Sequence, residues 1–272
     1  MNFFFSKQGK NFAGWGFFFS YLFILLILPL VGLLIKSTEA FQDNFLEKAF
    51  NPIALSSYWV TFSIAGIVAF INMIFGFLLA WILIRYDFPG KKLLDAAVDL
   101  PFALPTSVAG LTLTTIYSQN SLIGNSLENL GIQVVFTRLG IAVAMLFVSF
   151  PFVVRSVQPI LQEIEPELEE AAMSLGASQF LIFQKILIPA ITPSLITGVA
   201  LAFSRAIGEF GSVVIIASNI PLKDLISPVL IFQSLEQYDT LGATVVGTVM
   251  LILSLVLLLI INFIQSFTVI KK

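Results

Sequence analysis

Apolar runs of near-membrane length alternate with short polar stretches along the chain. A helix needs about 20 predominantly apolar residues to cross a bilayer, and six candidates emerge, at about Trp15–Ile35, Tyr58–Ile84, Leu100–Tyr117, Leu139–Val154, Ser194–Ile216 and Leu241–Phe267. The first follows Lys7 and Lys10. Its apolar run is longer than a signal-peptide core, and no small-x-small cleavage site follows Lys36, so it reads as a retained helix. The predicted fold is an all-α polytopic membrane protein with six transmembrane helices. An N-terminal segment, residues 1–57, holds the first helix and an outer loop. A core, residues 58–267, holds the other five and a polar loop at 163–189.

That polar loop, Glu163 to Pro189, is the most charged stretch of the chain, with Glu163, Glu165, Glu167, Glu169 and Glu170 in close succession. Pro166 suits the first position of a helix, where its missing N–H costs nothing. The acids that follow complement the positive helix end, and Gly176 is a natural stop. A short helix of about ten residues is predicted, then a second helix from Ser178 that breaks at Pro189. Among the other loops, 37–57 is long enough for a short surface helix. The loop at 118–138 offers Asn120, Asn125 and Asn129 as caps or turns. The loop at 219–239 carries Leu225-Ile226 and Val229-Leu230-Ile231-Phe232, and is expected at the membrane interface or against a partner.

Of the 272 residues 58% are hydrophobic and only 11% charged, against about 25% charged in soluble domains. The 28 phenylalanines suit lipid-facing helices, and a net charge of −2 argues against nucleic acid as a partner. There is no cysteine and no histidine. Disulfides, thiolate metal sites, Ser-His-Asp triads and HExxH sites are thereby excluded, and no metal is expected. Gly90-Lys91-Lys92 lacks the first glycine and the hydroxyl residue of a P-loop, so no nucleotide site is visible.

Lys and Arg in the flanks set orientation. With the N-terminus inside, the inner side receives nine: Lys7, Lys10, Arg85, Lys91, Lys92, Arg155, Lys185, Lys271 and Lys272. The outer side receives four, Lys36, Lys48, Arg138 and Lys223, while Arg205 lies in a span. Both termini and the 163–189 loop are therefore expected inside.

Ionisable residues within a span are costly and mark candidate sites. Arg205 and Glu209 stand at i, i+4, on one helical face, with Ser212 near it. They serve as a packing lock, as a polar stripe along a permeation path or gate, or as both. Gly208 and Gly211 allow close helix approach. At the start of the third span, Pro101 and Pro105 interrupt the backbone, which at membrane depth survives only beside protein or a cavity. Thr106 and Ser107 could cap the helix that restarts there, and N–H groups at a helix start suit an oxyanion; the alternative is a packing kink.

Glu170-Ala171-Ala172, Gly176 four positions later, then Ile186 and Pro189, resembles the EAA motif of ABC-importer permeases, with Ile188 where that family usually has Leu. The segments LPFALPTSVAGL, ALAFSRAIGEFGSVV and SLEQYDTLGAT resemble the T-type permease subunit of sulfate/thiosulfate ABC importers over most of the chain from Trp59 onward. Molybdate permeases share RAxGE[FY]G but usually carry a second proline where Thr106 stands. That position, with Gly211-Ser212-Val213 and Glu236-Gln237-Tyr238-Asp239, favours sulfate. Ser218-Asn219 departs from the family's usual Gly-Asn.

The resemblance implies a type I importer permease without catalytic residues of its own. In such a permease the loop around Glu170, Ala171, Ala172, Gly176, Ile186 and Pro189 is a cytoplasmic coupling helix docking on an ATPase. Thr106, Ser107, Arg205, Glu209 and Ser212 are the candidates for the path or gate. Expected partners are two ATPase subunits carrying ATP and Mg, a homologous permease subunit in a heterodimer, an extracytoplasmic sulfate-binding protein and the lipid bilayer. Expected locations are a bacterial inner membrane or, for an algal chain, the chloroplast envelope. The alternatives are a molybdate/tungstate permease, and a proton-coupled secondary anion transporter with Glu209 as carrier. Arg205, one turn away, argues against the latter.

The charge bias makes topology testable. Cysteines placed singly at Ser178 and Ser121 of this cysteine-free chain should react with an impermeant reagent from opposite sides; labelling of both from outside refutes the six-span arrangement with both termini inside.

Overall fold

A computed structural model describes residues 15–42 and 44–269. All regular structure among them is helical. Helix α1 (Trp15–Glu39) is apolar on every side and its spanning window buries nothing. Short α2 (Phe45–Ala49) is the surface helix expected in the 37–57 loop, with Phe45 and Ala49 buried against Val245. Next come α3 (Pro52–Arg85), α4 (Lys91–Val98), α5 (Leu100–Ala103), α6 (Thr106–Tyr117) and α7 (Leu122–Asn129). Then follow α8 (Arg138–Glu163), α9 (Pro166–Ser174), α10 (Gln179–Ile207), α11 (Val213–Ile216), α12 (Ser227–Glu236) and α13 (Thr240–Val269). Caps follow elementary rules. Asn51 Oδ1 accepts from Ala54 N at 2.7 Å ahead of Pro52, and Ser121 Oγ accepts from Gly124 N at 2.8 Å.

The body is α8 held between α3 and α10. In lipid, helix association depends on close packing rather than on expulsion of water, and small residues permit it. A Cβ on Gly76 of α3 would stand 2.8 Å from Val153 Cβ, and one on Gly198 of α10 would stand 3.0 Å from Val153 Cα and Ser156 Cβ. Two glycines thus bring both flanking helices onto the same turn of α8. Asn72 Nδ2 donates to Ser149 Oγ at 2.8 Å across the buried α3–α8 contact. One apolar core gathers Ile64, Met145, Ile207 and Ile226; another, toward α9, gathers Leu83, Val157, Ile182 and Leu187.

The two ends of this bundle carry different charges. At one end Arg85 meets Glu169, while Arg155 donates to Asp95 Oδ1 at 2.6 Å and Asp99 Oδ2 at 2.7 Å. Gln158 and Arg155 donate to Asp95 and hold its carboxyl below the usual carboxylate range. Its stabilisation is present above the ordinary value and fades as pH falls through the lowered one. At the other end Arg138 Nε donates to the Lys223 carbonyl at 2.6 Å and Lys48 lies 3.6 Å from Asp239. This partition matches the charge count for these residues; Lys7, Lys10, Lys271 and Lys272 lie outside the described residues.

Several expectations change. Among the described residues five helices are long and apolar enough to cross a membrane: α1, α3, α8, α10 and α13. The third predicted span is not one helix. Leu104, ahead of Pro105, takes an extended ψ of 133° because the pyrrolidine ring excludes the helical region. The remaining α6, at 12 residues, is about 18 Å long, short of the ~30 Å hydrocarbon core. Yet Asp99 is bonded to Arg155, while Tyr117 shares a cavity wall with Val134–Phe136, just ahead of the start of α8 at Arg138. The chain therefore runs along α8 as α5 followed, across the Pro105 break, by α6. The fourth span extends through Pro151 and Pro159 to Glu163. The fifth runs earlier than predicted, Gln179–Ile207 rather than Ser194–Ile216, because Gly208 ends it.

The middle of the 219–239 loop folds into the body, while Ile220, Leu222, Phe232, Leu235 and Tyr238 stay exposed. Leu225, Ile226 and Val229 are buried in the first core, and Ser227 N donates to Thr61 Oγ1 at 2.8 Å. Buried Asp224 accepts from Ser218 N (2.9 Å), Ser218 Oγ (2.6 Å) and Ile220 N (2.9 Å). The serine that departs from the family pattern at 218 supplies two of those three donors, one of them the hydroxyl that glycine lacks.

Gly198→Val should force α8 and α10 apart, costing about 1–3 kcal/mol for an overpacked contact. Thermal unfolding in detergent, followed by size-exclusion fluorescence, should show a lower Tm than for wild type; an unchanged Tm would show that the glycine contact is not needed.

Candidate functional site

The acidic loop folds as predicted into a helix, a turn and a helix start. Pro166 occupies the first turn of α9, with Glu167 and Glu169 beside the N-terminal N–H groups. Gly176 adopts φ +87°, and Ala177 N reaches back to Ala172 O at 3.0 Å, which closes the helix end. A Cβ at Gly176 would meet no atom within 4 Å, so the requirement there is purely conformational. Ser178 Oγ accepts from Leu181 N at 3.3 Å and caps α10.

The two faces of α9 differ. Ala172 and Ala177 pack against the body, and Glu169 Oε1 meets Arg85 Nη2 at 2.5 Å. Outward, Leu168, Met173 and Leu175 are 53%, 47% and 89% exposed, and Phe180 just beyond is 73% exposed. Glu170, Ala171 and Gly176 lie on the exposed part of the loop and Ile186 is half-buried. An apolar surface outside the spanning segments has neither lipid nor core to cover it, and such surfaces mark protein contacts.

The predicted break at Pro189 is absent. Phe183–Leu187 form a π-helical turn, with Ile188 N bonded to Phe183 O, and Pro189 enters the first turn of the segment that follows. The wider turn takes up the donor and the space that a proline ring denies an α-helix, so α10 runs on unbroken.

The second candidate region is where two backbone interruptions cross. After Gly208 the chain turns through Glu209–Gly211 into α11, and this turn lies on the first turns of α6. A Cβ on Gly211 would stand 2.2 Å from Thr106 Oγ1, and one on Gly110 would stand 2.7 Å from Ser212 Cα and O. Only glycine fits at either point. Glu209 is 1% exposed. Its Oε1 accepts from Ser212 N (2.9 Å) and Ser212 Oγ (2.7 Å), and Arg205 Nη1 meets its Oε2 at 2.7 Å. The i, i+4 pair therefore forms even though Glu209 lies past the helix end. Arg205 keeps 30% of its side chain exposed.

Thr106 and Ser107 do not cap α6: Pro105 holds the cap position, and no side chain bonds the first-turn amides. Ser107 is exposed and Thr106 half-buried. Of the five residues expected at a path or gate, Thr106 and Ser107 belong to α6, Glu209 and Ser212 to the segment that crosses it, and Arg205 to the last turn of α10, where it pairs with Glu209. An open helix start with hydroxyls, near a segment carrying a partly exposed guanidinium, suits an anion. Sequence reasoning missed Arg85, Trp81 and Gly110. The charge of Arg85 is accounted for by the flank bias alone, and nothing local marks Gly110 as the partner of Ser212.

A family model described as "Binding-protein-dependent transport system inner membrane component" matches residues 72–270. The "Probable sulfate transport system permease protein cysT" of Chlorokybus atmophyticus is 60% identical over 252 residues, 93% of this chain and 88% of that protein. Its namesake in Mesostigma viride is 59% identical over 266 residues, 98% and 97% of the two chains. The "Sulfate transport system permease protein CysT" of a Synechocystis species is 55% identical over 246 residues, 90% and 86%. Among solved structures, a bacterial alginate ABC transporter in complex with an alginate pentasaccharide-bound periplasmic protein has a chain of the same fold. It has a TM-score of 0.80 at 18% identity and covers 96% of this chain and 95% of that one.

Breaking a buried pair by removing one partner costs about 3–5 kcal/mol. With Arg205 partly exposed, Glu209→Gln should lower stability by about 3 kcal/mol, near the lower end of that range, and by more than Glu209→Gln combined with Arg205→Met. Equal loss in single and double variants, measured by thermal unfolding, would show that the two residues are uncoupled.

Proposed function

The chain belongs to the family of binding-protein-dependent transport system inner membrane components, and within it we propose that the chain is the membrane-spanning permease subunit of an ATP-driven importer of sulfate or thiosulfate. The observation that carries the coupling half of this reading is α9: an acidic helix outside the spans, rigidly closed at Gly176, with a bare apolar face. The names of the relatives support the substrate.

In this mechanism the chain makes and breaks no covalent bond. Of two ATPase subunits, binding ATP and Mg, one receives the Leu168–Met173–Leu175 face of α9, with Glu170 and Ala171 in the same contact, while Ala172 seats that helix on the body. Ile186 and Pro189 sit where α10 leaves the docked loop. Closure of the ATPase pair moves α9, and α9 moves the spans. A ligand shifts a conformational equilibrium only through differential binding to its states, and the docked helix supplies that difference. A homologous permease subunit completes the path, and an extracytoplasmic binding protein delivers the anion. Thr106 and Ser107 at the start of α6 and the partly exposed Arg205 face that path or its gate, and the buried Glu209 and Ser212 hold Arg205 in place behind them. The membrane is a bacterial inner membrane or, for an algal chain, the chloroplast envelope.

Gly176→Val places a β-branched residue at φ +87°, costing about 1 kcal/mol or more locally. Because this turn lies outside the spans, the variant should insert and accumulate normally, lose co-purification of the ATPase or its coupling, and show no ATP-driven sulfate uptake in vesicles. Full uptake by a well-expressed variant would refute the coupling role of the loop.

A further inference from the structure

Helix α9 is joined by the chain to α8 before it and to α10 after it, so any force on it reaches those two helices directly. Helix α3 is remote in sequence, yet α9 is tied to it as well. Arg85, the last residue of α3, reaches Glu169 with Nη2 2.5 Å from Oε1. Both side chains are about four-fifths shielded, at 22% and 20% exposure. A pair shielded in this way escapes much of the solvent screening that weakens surface ion pairs. The guanidinium lies over the Trp81 ring one turn back, 5.1 Å from its centroid, which fixes its direction. Trp81 in turn meets Phe183 edge-to-face at 5.8 Å, and Phe183 opens the π-helical turn of α10. One charge pair on an aromatic seat thus connects α9, the end of α3 and the irregular turn of α10.

We propose that Arg85 and Glu169, seated on Trp81 and Phe183, form a force-transmitting link that carries displacement of α9 into α3 and so sets how much sulfate is moved per ATP hydrolysed. The link rests on the coupling role proposed for α9. Its residues are positioning residues that touch neither anion nor nucleotide. Exchanging the two charges keeps one carboxylate oxygen against one guanidinium nitrogen but takes the cation off the Trp81 face, so the exchange isolates the charge contact from its seat.

The test uses the complete complex of both permeases, ATPase and binding protein in proteoliposomes, with radiolabelled sulfate uptake and phosphate release measured together. Arg85→Glu and Glu169→Arg should each retain co-purifying ATPase and its hydrolysis. Each should lower uptake per ATP hydrolysed by about fivefold or more, within the usual range of coupling between distant sites. Arg85→Glu combined with Glu169→Arg should raise the ratio above both single variants at unchanged accumulation and hydrolysis, whereas a merely structural pair would lower accumulation and hydrolysis together with uptake. A wild-type ratio in the single variants, or a double variant as poor as the singles, overturns the link. If the charge variants do not accumulate, Trp81→Leu, which fills space but removes the ring beneath the guanidinium, should lower the same ratio; an unchanged ratio there also overturns it. Absence of ATP-driven sulfate uptake by the unaltered complex would instead refute the proposed function itself.

Discussion

The carboxylate of Glu209 organises the middle of this molecule. A buried charge in a low-dielectric setting is tolerable only when donors surround it, and Glu209 receives three: Ser212 N, Ser212 Oγ and Arg205. Those bonds hold the chain in a tight turn directly after α10, where a longer helix would otherwise have run. The turn then rests on the first turns of α6, at contacts that Gly110 and Gly211 alone allow. Non-helical backbone survives at membrane depth only when protein covers it. Here each interruption covers the other, so the Pro105 break and the Gly208 break stabilise one structure between them.

This arrangement divides the molecule into a packed frame and a polar crossing point. The frame is α3, α8 and α10, held by contacts at Gly76, Val153 and Gly198 and by the Asn72–Ser149 bond. The crossing point gathers hydroxyls and the uncapped start of α6, with a partly exposed Arg205 held by Glu209. At one end of the frame, Leu168 and Met173 of α9, with Leu175 just after it, leave an exposed apolar face. Ala172, Ala177 and Glu169 bind the helix back to the frame. Motion imposed on α9 must therefore travel through the frame before it reaches the crossing point.

Much of this was legible in the sequence. Runs of apolar residues marked the spanning helices because lipid selects on length and polarity, which are properties of the chain itself. Pro166, the glutamates, Gly176 and Ser178 marked α9 and its exits because caps and helix ends are local chemistry. Arg205, Glu209 and Ser212 stood out because charge within a span is rare. What could not be read was where a helix ends or continues when two local signals compete. Pro189 reads as a break, yet a π-helical turn absorbs it. Arg205 and Glu209 read as one helical face, yet Gly208 ends the helix between them and the ion pair forms all the same.

The sequence by itself thus determined the membrane class, the acidic helix with its turn and the residue types available for chemistry. Each depends on composition or on neighbours within a few positions. Only the tertiary structure decided that Gly110 meets Ser212, that Thr106 lies over Gly211, that Leu225, Ile226 and Val229 join the core and that Arg85 holds Glu169. These are contacts between residues tens of positions apart, set by how helices pack and by the need to cover broken backbone in lipid. No local pattern carries that information.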